Sequence, residues 1–339
     1  MTSTIRTYRP TDLEEIVALI NAADTIDQTR EGTSVQDTQE WLSVPGLSPE
    51  ENVFVAEEDD GRIVGYAYLR FVQSDTESSF RGWYQVHPIR RGRGLEERML
   101  TRLFSRAQER LPECTNPVIH FSTHASGFEK ERLAILEQFG LREVRRNWLM
   151  VHPTLEGIPE PQFPAGIRTR AYRVQDDDAE MHRADTEVFR DHWGHADAPL
   201  ELWQHYMSSP SVKPDLSVIA EDEAGQIAGF CMVAINDEEN RRLGTKRGWI
   251  DILGVRRPYR RQGLGTSLIQ QGMQNIRAAG LSQAVLGCDA ENLTGATRVY
   301  KRVGFEVDKV RIILRKPLRR TEAEALRVGV LNEASRIES

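Results

Sequence analysis

The sequence predicts an α+β protein made of two tandem copies of one domain, each a mixed, mostly antiparallel sheet flanked by helices. Two observations predict this arrangement. Short motifs recur in the same order in both halves, and a proline-rich stretch lies between them. The length of 339 residues also suits about two domains.

Four motifs of the first half return in the second half at an offset of 162 to 169 residues. Matching order and near-constant spacing indicate an internal repeat, so the two halves are expected to share one fold. The motif pairs are I-R-T-Y-R at Ile5 with I-R-T-R-A-Y-R at Ile167, A-E-E-D-D-G at Ala56 with A-E-D-E-A-G at Ala220, V-H-P-I-R-R-G-R-G-L-E at Val86 with V-R-R-P-Y-R-R-Q-G-L-G at Val255, and I-L-E-Q-F-G-L at Ile135 with V-Y-K-R-V-G-F at Val299.

Within each copy, the patterns predict the same order of elements. A strand and helical material come first, followed by a hairpin, a strand, a glycine loop with its helix, a further strand, a helix and a closing strand. The predicted positions are helices at 12–23 and 178–189, hairpin turns at 59–61 and 223–225, strands at 118–122 and 284–287, and helix ends at Gly140 and Gly304.

Dense prolines between the copies predict a semi-rigid linker, because proline blocks both helices and central strands. The prolines are Pro153, Pro159, Pro161 and Pro164. We therefore expect a first domain at 1–155, a linker at 156–164 and a second domain at 165–320. The tail at 321–339 is expected to be a short helix or frayed.

Composition excludes several classes of protein. The net charge of −7 and the pI of about 5.7 argue against a nucleic-acid partner, which requires a basic surface. The chain shows neither an 18-residue apolar run nor a signal-peptide pattern, so a cytoplasmic protein without a membrane partner is expected. Cys114, Cys231 and Cys288 lack the spacing of a zinc or disulfide site, so no metal is predicted.

The stretch from Val255 to Gly265 predicts an anion site. An apolar strand leads into a glycine-rich turn, and a helical pattern with Leu264, Leu268 and Ile269 on one side follows. The start of a helix offers unpaired N–H groups and partial positive charge, which suit a phosphate. Leu268 replaces the third glycine of a dinucleotide fingerprint, and the Gly-Lys-Ser/Thr of a P-loop is absent. A plain tight turn is the alternative.

Within this stretch, Arg260-x-x-Gly263-x-Gly265 resembles the acyl-CoA pyrophosphate motif of the GNAT superfamily of N-acetyltransferases. The order of elements also matches the GNAT fold over nearly the whole chain, twice. The resemblance implies acetyl-CoA as co-substrate and transfer of its acetyl group to a primary amine by direct attack on the thioester. It implies CoA contacts from the main chain of Leu253 and Val255, the loop residues Arg260, Arg261, Gln262, Gly263, Leu264, Gly265 and Thr266, and Asn292.

A second stretch resembles the other GNAT signature, N-x-x-A-x-x-x-Y-x-x-x-G-F, with one extra residue after Asn292. The resemblance implies that Tyr300 protonates the leaving thiolate, since a phenol of pKa about 10 is a suitable donor. A core tyrosine is the alternative for Tyr300. A helix N-cap or a turn residue is the alternative for Asn292.

The base that deprotonates the amine is less obvious, because Trp249 stands where the family most often has a glutamate. Strand alternation puts Trp249, Asp251 and Leu253 on one face and Ile250 and Ile252 on the other. We therefore expect Asp251 to act as the base. Pairing with a neighbouring arginine is the alternative.

The segment from Phe189 to His195 is expected to line the acceptor pocket, as the corresponding segment of GNAT proteins commonly does. Within it, His192 is an acceptor contact and an alternative base, since histidine titrates near neutrality. Trp193 is expected to form a pocket wall. An ordinary polar loop is the alternative.

The first copy is predicted to be degenerate. Glu96 replaces the last glycine of its loop and would repel a pyrophosphate, and Leu136 stands opposite Tyr300. The active site is therefore expected in the second domain. A non-catalytic acyl-CoA sensor or scaffold is the rival class, and a purely structural pair of domains is a third. The acceptor (an amino sugar, a protein N-terminus or an aminoglycoside-like amine) and the oligomeric state, monomer or dimer, stay open.

Overall fold

A computed structural model describes residues 3–292 and 295–318 of the chain. The fold is α+β, as the sequence predicts, and it divides into two compact units. The first unit contains the described residues up to Val144 together with those from Ile312 onwards, and the second spans Arg145–Arg311. The predicted tail at 321–339 lies outside the described residues.

The first unit contains a mixed sheet with helices packed against it. Its first four strands are antiparallel neighbours in chain order, and the fourth and fifth are parallel. The strands are β1 (Thr4–Thr7), β2 (Val53–Glu57), β3 (Ile63–Gln73), β4 (Ser78–Val86) and β5 (Ile119–Ser126), and the helices are α1 (Leu13–Asp27), α2 (Val35–Leu42), α3 (Pro49–Asn52), α4 (Leu95–Glu109) and α5 (Lys130–Gln138).

The second unit repeats this plan. Its strand order is β6-β11-β10-β9-β8-β7, with β10 and β11 parallel and the other neighbours antiparallel. The strands are β6 (Arg142–His152), β7 (Arg168–Ala171), β8 (Val218–Glu221), β9 (Ile227–Ala234), β10 (Arg247–Val255) and β11 (Gln283–Asp289), and the helices are α6 (Asp178–Phe189), α7 (Leu200–Met207), α8 (Asp237–Leu243), α9 (Leu264–Ala278) and α10 (Ala296–Arg302).

The closing strand of each copy belongs to the unit of the other copy. Asn147 to His152 of β6 pair with β11 of the second unit. The last strand, β12 (Glu306–Pro317), runs beside β5, and the Leu318 N–H donates to the Ile119 carbonyl of the first unit at 2.9 Å. The unit boundaries therefore differ from the expected domains at 1–155 and 165–320. Two repeats of one fold offer equivalent sheet edges, so either closing strand fits either edge.

The proline-rich stretch has no helix or strand, as expected, but it is not a free spacer. Leu155 is 1% exposed and packs in the core of the second unit. Further along, the Ser267 hydroxyl donates to the Gln162 carbonyl at 2.5 Å, and the Gln274 amide donates to the Pro159 carbonyl at 3.3 Å. This stretch is thus a strap held across α9.

Two apolar layers of the second unit sandwich its sheet and fix the position of β10. On one face, α9 packs through Leu264, Leu268 and Ile269, which confirms the side predicted from the sequence. On the other face, α6 and α7 pack through residues that include Met181 and Trp203. The glycine loop therefore starts from a strand that is held on both faces.

Candidate active site

The centre of the second unit is a gap between two parallel strands. β10 pairs with β11 only from Arg247 to Trp249, although β10 continues to Val255 and β11 to Asp289. On its other edge β10 stays paired with β9 as far as Val255. The main-chain groups of Leu253 and the N–H of Val255 on the β11 side are therefore available to pair with an extended ligand, whereas the Val255 carbonyl accepts a hydrogen bond from Arg260.

A β-bulge shapes the floor of this gap. Ile250 and Ile252 pair with the adjacent residues Val233 and Met232 of β9, so Asp251 is an extra residue. Ile250 packs in the core facing α9, whereas Ile252 packs against the core facing α6 and α7. The expectation that Ile250 and Ile252 share one face was therefore wrong, because regular alternation does not survive a bulge.

The Asp251 side chain is exposed to solvent. The surrounding protein nevertheless removes part of the hydration of its carboxyl group, which raises the pKa of that group. Both observations fit a side chain on the floor of a cleft. Asp251 makes no ion pair with the described residues, because the neighbouring Arg256 pairs with Glu187 and Arg257 pairs with Asp191. The alternative of a structural ion pair for Asp251 therefore fails.

Two further polar side chains face the same cleft and were missed from the sequence. Burial raises the pKa of Asp185 on α6 to about 6, and His182 and His195 oppose that shift. The Tyr206 hydroxyl on α7 is buried without a partner at hydrogen-bond distance among the described residues. Burial raises the pKa of this hydroxyl, and the nearby carboxylates of Asp251 and Asp185 raise it further. The sequence could have revealed Asp185, because its helical spacing from Met181 and Val188 places this carboxylate on the apolar face of α6.

The glycine loop ends in a helix start with unused donors. Gly263 is the N-cap of α9 at φ 86°, a left-handed conformation that favours glycine. The backbone N–H groups of residues 262–265 donate no hydrogen bond within the described part of the chain. The Thr266 N–H donates to the Gly263 carbonyl at 2.9 Å, so this donor is already used within the loop, and contact of Thr266 with CoA stays a prediction. Unused donors at a helix start suit an anion.

Gly265 is a glycine that the fold does not require. A Cβ added there would meet only Val255 Cγ2 at 3.6 Å, an ordinary contact, and the backbone is not left-handed. Neither packing nor conformation explains the missing side chain. A ligand that approaches the helix start closely would explain it.

Arg260 holds the loop in place. Its Nε donates to the Val255 carbonyl at 2.9 Å, and its Nη2 donates to the Val188 carbonyl at 3.4 Å. Arg261 takes a left-handed φ of 63°. Arg260 therefore links the end of β10 to α6, and its contact with a ligand stays a prediction.

Tyr300 approaches the gap from α10. The residue is 8% exposed and packs in the core facing α9, with its ring centroid 6.4 Å from that of Phe305. Burial raises the pKa of its phenol, so the group stays protonated at neutral pH. The hydroxyl makes no hydrogen bond to the described residues, so its proton is available for donation.

The loop after α6 brings one predicted acceptor residue near the end of β11. Arg145 bridges the two elements, because its guanidinium lies 5.6 Å from the Trp193 ring centroid and pairs with Asp289 at 2.7 Å. Burial lowers the pKa of His192, which favours its neutral form. Trp193 is thus placed at the rim of the cleft.

Asn292 lies in the turn between β11 and α10. Its N–H donates to the Asp289 carbonyl at 3.2 Å, and Gly295 rather than Asn292 is the N-cap of α10. The turn alternative therefore holds and the N-cap alternative was wrong. Its contact with CoA stays a prediction.

Comparison with known proteins decides the family. The GNAT acetyltransferase family profile matches residues 179–305, and a GNAT acetyltransferase domain profile matches residues 5–131. The chain belongs to the GNAT acetyltransferase family. It carries two GNAT domains in tandem, one in each unit, and it is an N-acetyltransferase.

Relatives of this tandem GNAT chain match over most of its length. A mycothiol acetyltransferase of Thermobispora bispora is 28% identical over 307 residues, which cover 91% of this chain and 97% of that protein. A mycothiol acetyltransferase of Streptomyces bingchenggensis is 29% identical over 298 residues, covering 87% and 90%.

Solved structures agree with these sequence matches. A GCN5-related N-acetyltransferase from Sphaerobacter thermophilus superposes with a TM-score of 0.73 at 27% identity, covering 94% of this chain and 96% of that one. A tandem GNAT protein from the clavulanic acid biosynthesis pathway has a TM-score of 0.67 at 15% identity, covering 94% and 100%, and it shows the shared fold alone.

The first GNAT domain has a similar gap between its parallel strands, but side chains of the domain itself form hydrogen bonds with main-chain groups that line the gap. β4 and β5 pair only from Ser78 to Arg81 and then separate. Glu96, 7% exposed, accepts a hydrogen bond from the Gly92 N–H of the loop at 3.0 Å. Arg132 on α5 donates to the carbonyl of Tyr84 on β4 at 2.8 Å.

The second domain lacks this contact. Its residue corresponding to Arg132 is Ala296, and its residue corresponding to Tyr84 is Leu253.

Two searches of the described residues bear on other classes of site. Within 3–292 and 295–318, no group of three or more His, Cys, Asp or Glu side chains is arranged to hold a metal ion. No helix in that part of the GNAT chain is both long and apolar enough to span a membrane.

Proposed function

We propose that the second GNAT domain transfers the acetyl group of acetyl-CoA to a primary amine, and that the first domain does not catalyse transfer. The observation that carries this proposal is the gap between β10 and β11, which lies beside four unused N–H groups at the start of α9. An extended pantetheine chain fits between separated strands, and a pyrophosphate fits a helix start.

The chain's residues divide the binding of acetyl-CoA between them. The N–H groups of 262–265 receive the pyrophosphate, with Gly265 giving the space for close approach. Main-chain groups of Leu253 and Val255 pair with the pantetheine amides. Because Arg260 already links β10 and α6, its main contribution is to keep the loop in its binding conformation.

Asp251 removes a proton from the acceptor. A lysine-like amine has a pKa of about 10.4, so only about one molecule in a few thousand is neutral at pH 7. The raised pKa of the Asp251 carboxyl group makes it a better proton acceptor than an ordinary aspartate. Asp185 and Tyr206 face the same cleft, where Asp185 contributes negative charge that attracts an ammonium group.

The neutral amine then attacks the thioester carbonyl. Its nitrogen forms the C–N bond as the C–S bond breaks, and the leaving thiolate takes the hydroxyl proton of Tyr300. Because burial keeps this phenol protonated, the donor is present throughout the neutral range. As the amide forms, its nitrogen gives up a second proton to solvent. Solvent returns a proton to Tyr300, and Asp251 releases the one it accepted.

We infer the acceptor class from the relatives. Mycothiol acetyltransferases match this chain over about nine-tenths of its length, which favours a mycothiol-precursor-like amino sugar. His192 and Trp193 are proposed as acceptor contacts at the rim. Trp249 stands where the family usually has a glutamate, and its indole N–H donates to Glu239 at 3.0 Å. We propose that Asp251 supplies the carboxylate instead.

Steady-state kinetics with acetyl-CoA and a panel of primary amines tests this assignment. Asp251→Asn and Tyr300→Phe are each expected to lower kcat at least about 100-fold, the range expected for loss of one general acid or base. Glu129→Gln, in the first domain, serves as a matched carboxylate control with near-normal kcat. A double Asp251→Asn/Tyr300→Phe variant with near-normal rate would show that another site performs the chemistry.

A further inference from the structure

Two arginines face each other on the sheet of the first unit. Arg70 on β3 and Arg81 on β4 are directly opposite in the antiparallel register, so their side chains lie on the same face of the sheet. Burial lowers the pKa of Arg81, and Arg70 and the nearby Arg315 on β12 lower it further. Like charges in opposite positions destabilise a sheet, so this arrangement needs a reason. We call Arg70, Arg81 and Arg315 the basic cluster, and it belongs to no site described above.

The guanidinium groups of the basic cluster have lost part of their hydration. Burial lowers the pKa of Arg70 and of Arg315 as well as that of Arg81. Elsewhere in the chain, hydrogen bonds to carboxylates raise the pKa of Arg6 and Arg145. A partly dehydrated cation costs free energy unless an anion compensates it. Because Arg81 is exposed and Arg70 is half-buried, such an anion can approach from solvent.

Arg70 has donors to offer to an anion. The carboxylate of Glu77 lies beside the cluster, but Arg315 binds both of its oxygens, at 3.0 and 3.1 Å. Arg70 forms neither a hydrogen bond nor an ion pair with the described residues. The N–H groups of the Arg70 guanidinium are therefore unused by that part of the chain.

Two buried polar groups without a partner lie on the same face of the sheet. Ser79 is two residues before Arg81 on β4 and stands opposite His120 of β5, so strand alternation places all three side chains on one side. Ser79 is 3% exposed and His120 is 5% exposed. Neither the Ser79 Oγ nor the His120 Nε2 has a hydrogen-bond partner in the described part of the chain. Buried polar groups of a native fold are normally paired, so both call for a ligand or water.

His120 contributes a hydrogen-bond donor rather than another charge. Burial lowers the pKa of its imidazole to about 4, and the charges of Arg315 and Arg81 act in the same direction. The ring is therefore neutral at pH 7. Its Nδ1 lies 3.9 Å from Glu77, while Nε2 is the nitrogen without a partner. A ring protonated at Nε2 donates to an oxyanion, as the Ser79 hydroxyl can.

We propose that the basic cluster, together with Ser79 and His120, binds a small molecule through its phosphate or carboxylate group. The oxyanion lies between Arg70 and Arg81, where it relieves their repulsion, and it accepts hydrogen bonds from Ser79 and His120. The planar fork of a guanidinium matches the oxygens of both kinds of group. All of these residues belong to the first unit, so the site does not depend on catalysis by the second domain.

Nuclear magnetic resonance of the histidine ring protons in the full chain tests this proposal. The readout has to be local to the cluster, because the start of α9 also suits a phosphate. The His120 signal is assigned by its loss in His120→Gln. Titration with inorganic phosphate, at an ionic strength held constant with sodium chloride, is expected to shift this signal saturably. Acetate is titrated in parallel, and the anion that binds more tightly shows whether the ligand group is a phosphate or a carboxylate.

Variants locate the binding groups. Arg70→Gln removes one charge-assisted donor and is expected to raise the Kd for phosphate at least about tenfold. Ser79→Ala is expected to raise it about threefold. Arg93→Gln, exposed in the loop before α4, changes the net charge equally and is the matched control, which should bind phosphate like the unaltered chain.

The stability of Arg70→Gln separates a binding role from a structural one. Without phosphate, this variant should have a higher Tm than the unaltered chain, because it loses the repulsion between Arg70 and Arg81. Added phosphate should raise the Tm of the unaltered chain but not that of Arg70→Gln. An arginine kept for the fold would instead give a lower Tm when replaced.

Four results would overturn the proposal: no saturable shift of the His120 signal with either anion, an unchanged Kd in folded Arg70→Gln, an equal loss of affinity in Arg93→Gln, or a lower Tm of Arg70→Gln without phosphate. If the chain transfers no acetyl group at all, the function proposed for the second domain fails, while this titration still decides the basic cluster.

Discussion

Glu96 and Gly265 occupy corresponding loop positions and show how one side chain determines what a helix start can bind. At Gly265 the fold leaves space and four N–H groups are unused. At Glu96 a carboxylate of the chain itself accepts from the loop backbone. A negative group is thus present at both helix starts, supplied by the chain in one domain and, in our proposal, by acetyl-CoA in the other.

Gly265→Glu should convert the second loop into a copy of the first. Repulsion between two charges 4 Å apart is about 1 kcal/mol in water-like surroundings and about 4 at an effective dielectric of 20. The Kd for acetyl-CoA is therefore expected to rise by about tenfold or more. Gly265→Ala is the control, because its Cβ meets only Val255 at an ordinary distance. Calorimetry giving Gly265→Glu a Kd within twofold of the unaltered chain would contradict the assigned loop.

The pH dependence of kcat/KM should reveal the base. Asp251 accepts a proton only when ionised, and its pKa is raised above the usual value of about 3.9. Because Asp251 takes the proton of the ammonium group, log kcat/KM should be flat with pH between the pKa of Asp251 and that of the amine, and should have a slope of one below the pKa of Asp251. In Asp251→Asn only the small neutral fraction of the amine reacts, so a slope of one is expected throughout.

Glu239→Gln, which alters the carboxylate bonded to Trp249, is the control and should keep the change of slope. A slope of one that persists through the neutral range in the unaltered chain would remove Asp251 from the role of base. The change should occur on the acid side, because protonation inactivates the carboxylate.

At the scale of residues, the sequence predicted the candidate site residues that lie in short motifs. It missed the residues that reach the cleft only through the packing of elements distant in the chain. The loop residues and Tyr300 were found because each lies in a local pattern tied to a helix start. The face of Ile250 and Ile252 was mispredicted because a single extra residue at Asp251 reverses the alternation. Tyr206 joins the cleft only through packing of α7, which local periodicity does not report.

At the scale of elements, the exchange of closing strands is the main feature beyond the sequence patterns. The order of strands and helices was confirmed, since each has its own period and turn signals. Which sheet receives a closing strand depends on contacts far apart in the chain. The two copies have similar edges, so the patterns are compatible with either arrangement.

Met150→Ala tests which sheet β6 completes. Met150 is fully buried in the core of the second unit, and its truncation should destabilise that unit by about 2–5 kcal/mol. Hydrogen exchange followed by mass spectrometry should show faster exchange in β10 and β11. Met99→Ala, equally buried but in the first unit, should instead speed exchange in β3 and β4. Faster exchange confined to the first unit in Met150→Ala would contradict the exchange of strands.

At the scale of the whole molecule, the two domains share one fold but differ in whether the main-chain polar groups beside the gap between their parallel strands are already hydrogen-bonded. The second domain leaves a strand edge and a helix start free, whereas the first satisfies a strand carbonyl with Arg132 and a loop N–H with Glu96. In our account the second domain transfers the acetyl group and the first domain does not. The repeat itself was readable from the sequence, but the internal contact of Arg132 required the fold.

The measurement that tests this account most directly is a calorimetric titration of acetyl-CoA into the full chain. The account predicts one site per chain, which Gly265→Glu weakens strongly and Gly265→Ala retains. Two sites per chain, or one site that Gly265→Glu leaves intact, would contradict the assignment of catalysis to the second domain alone.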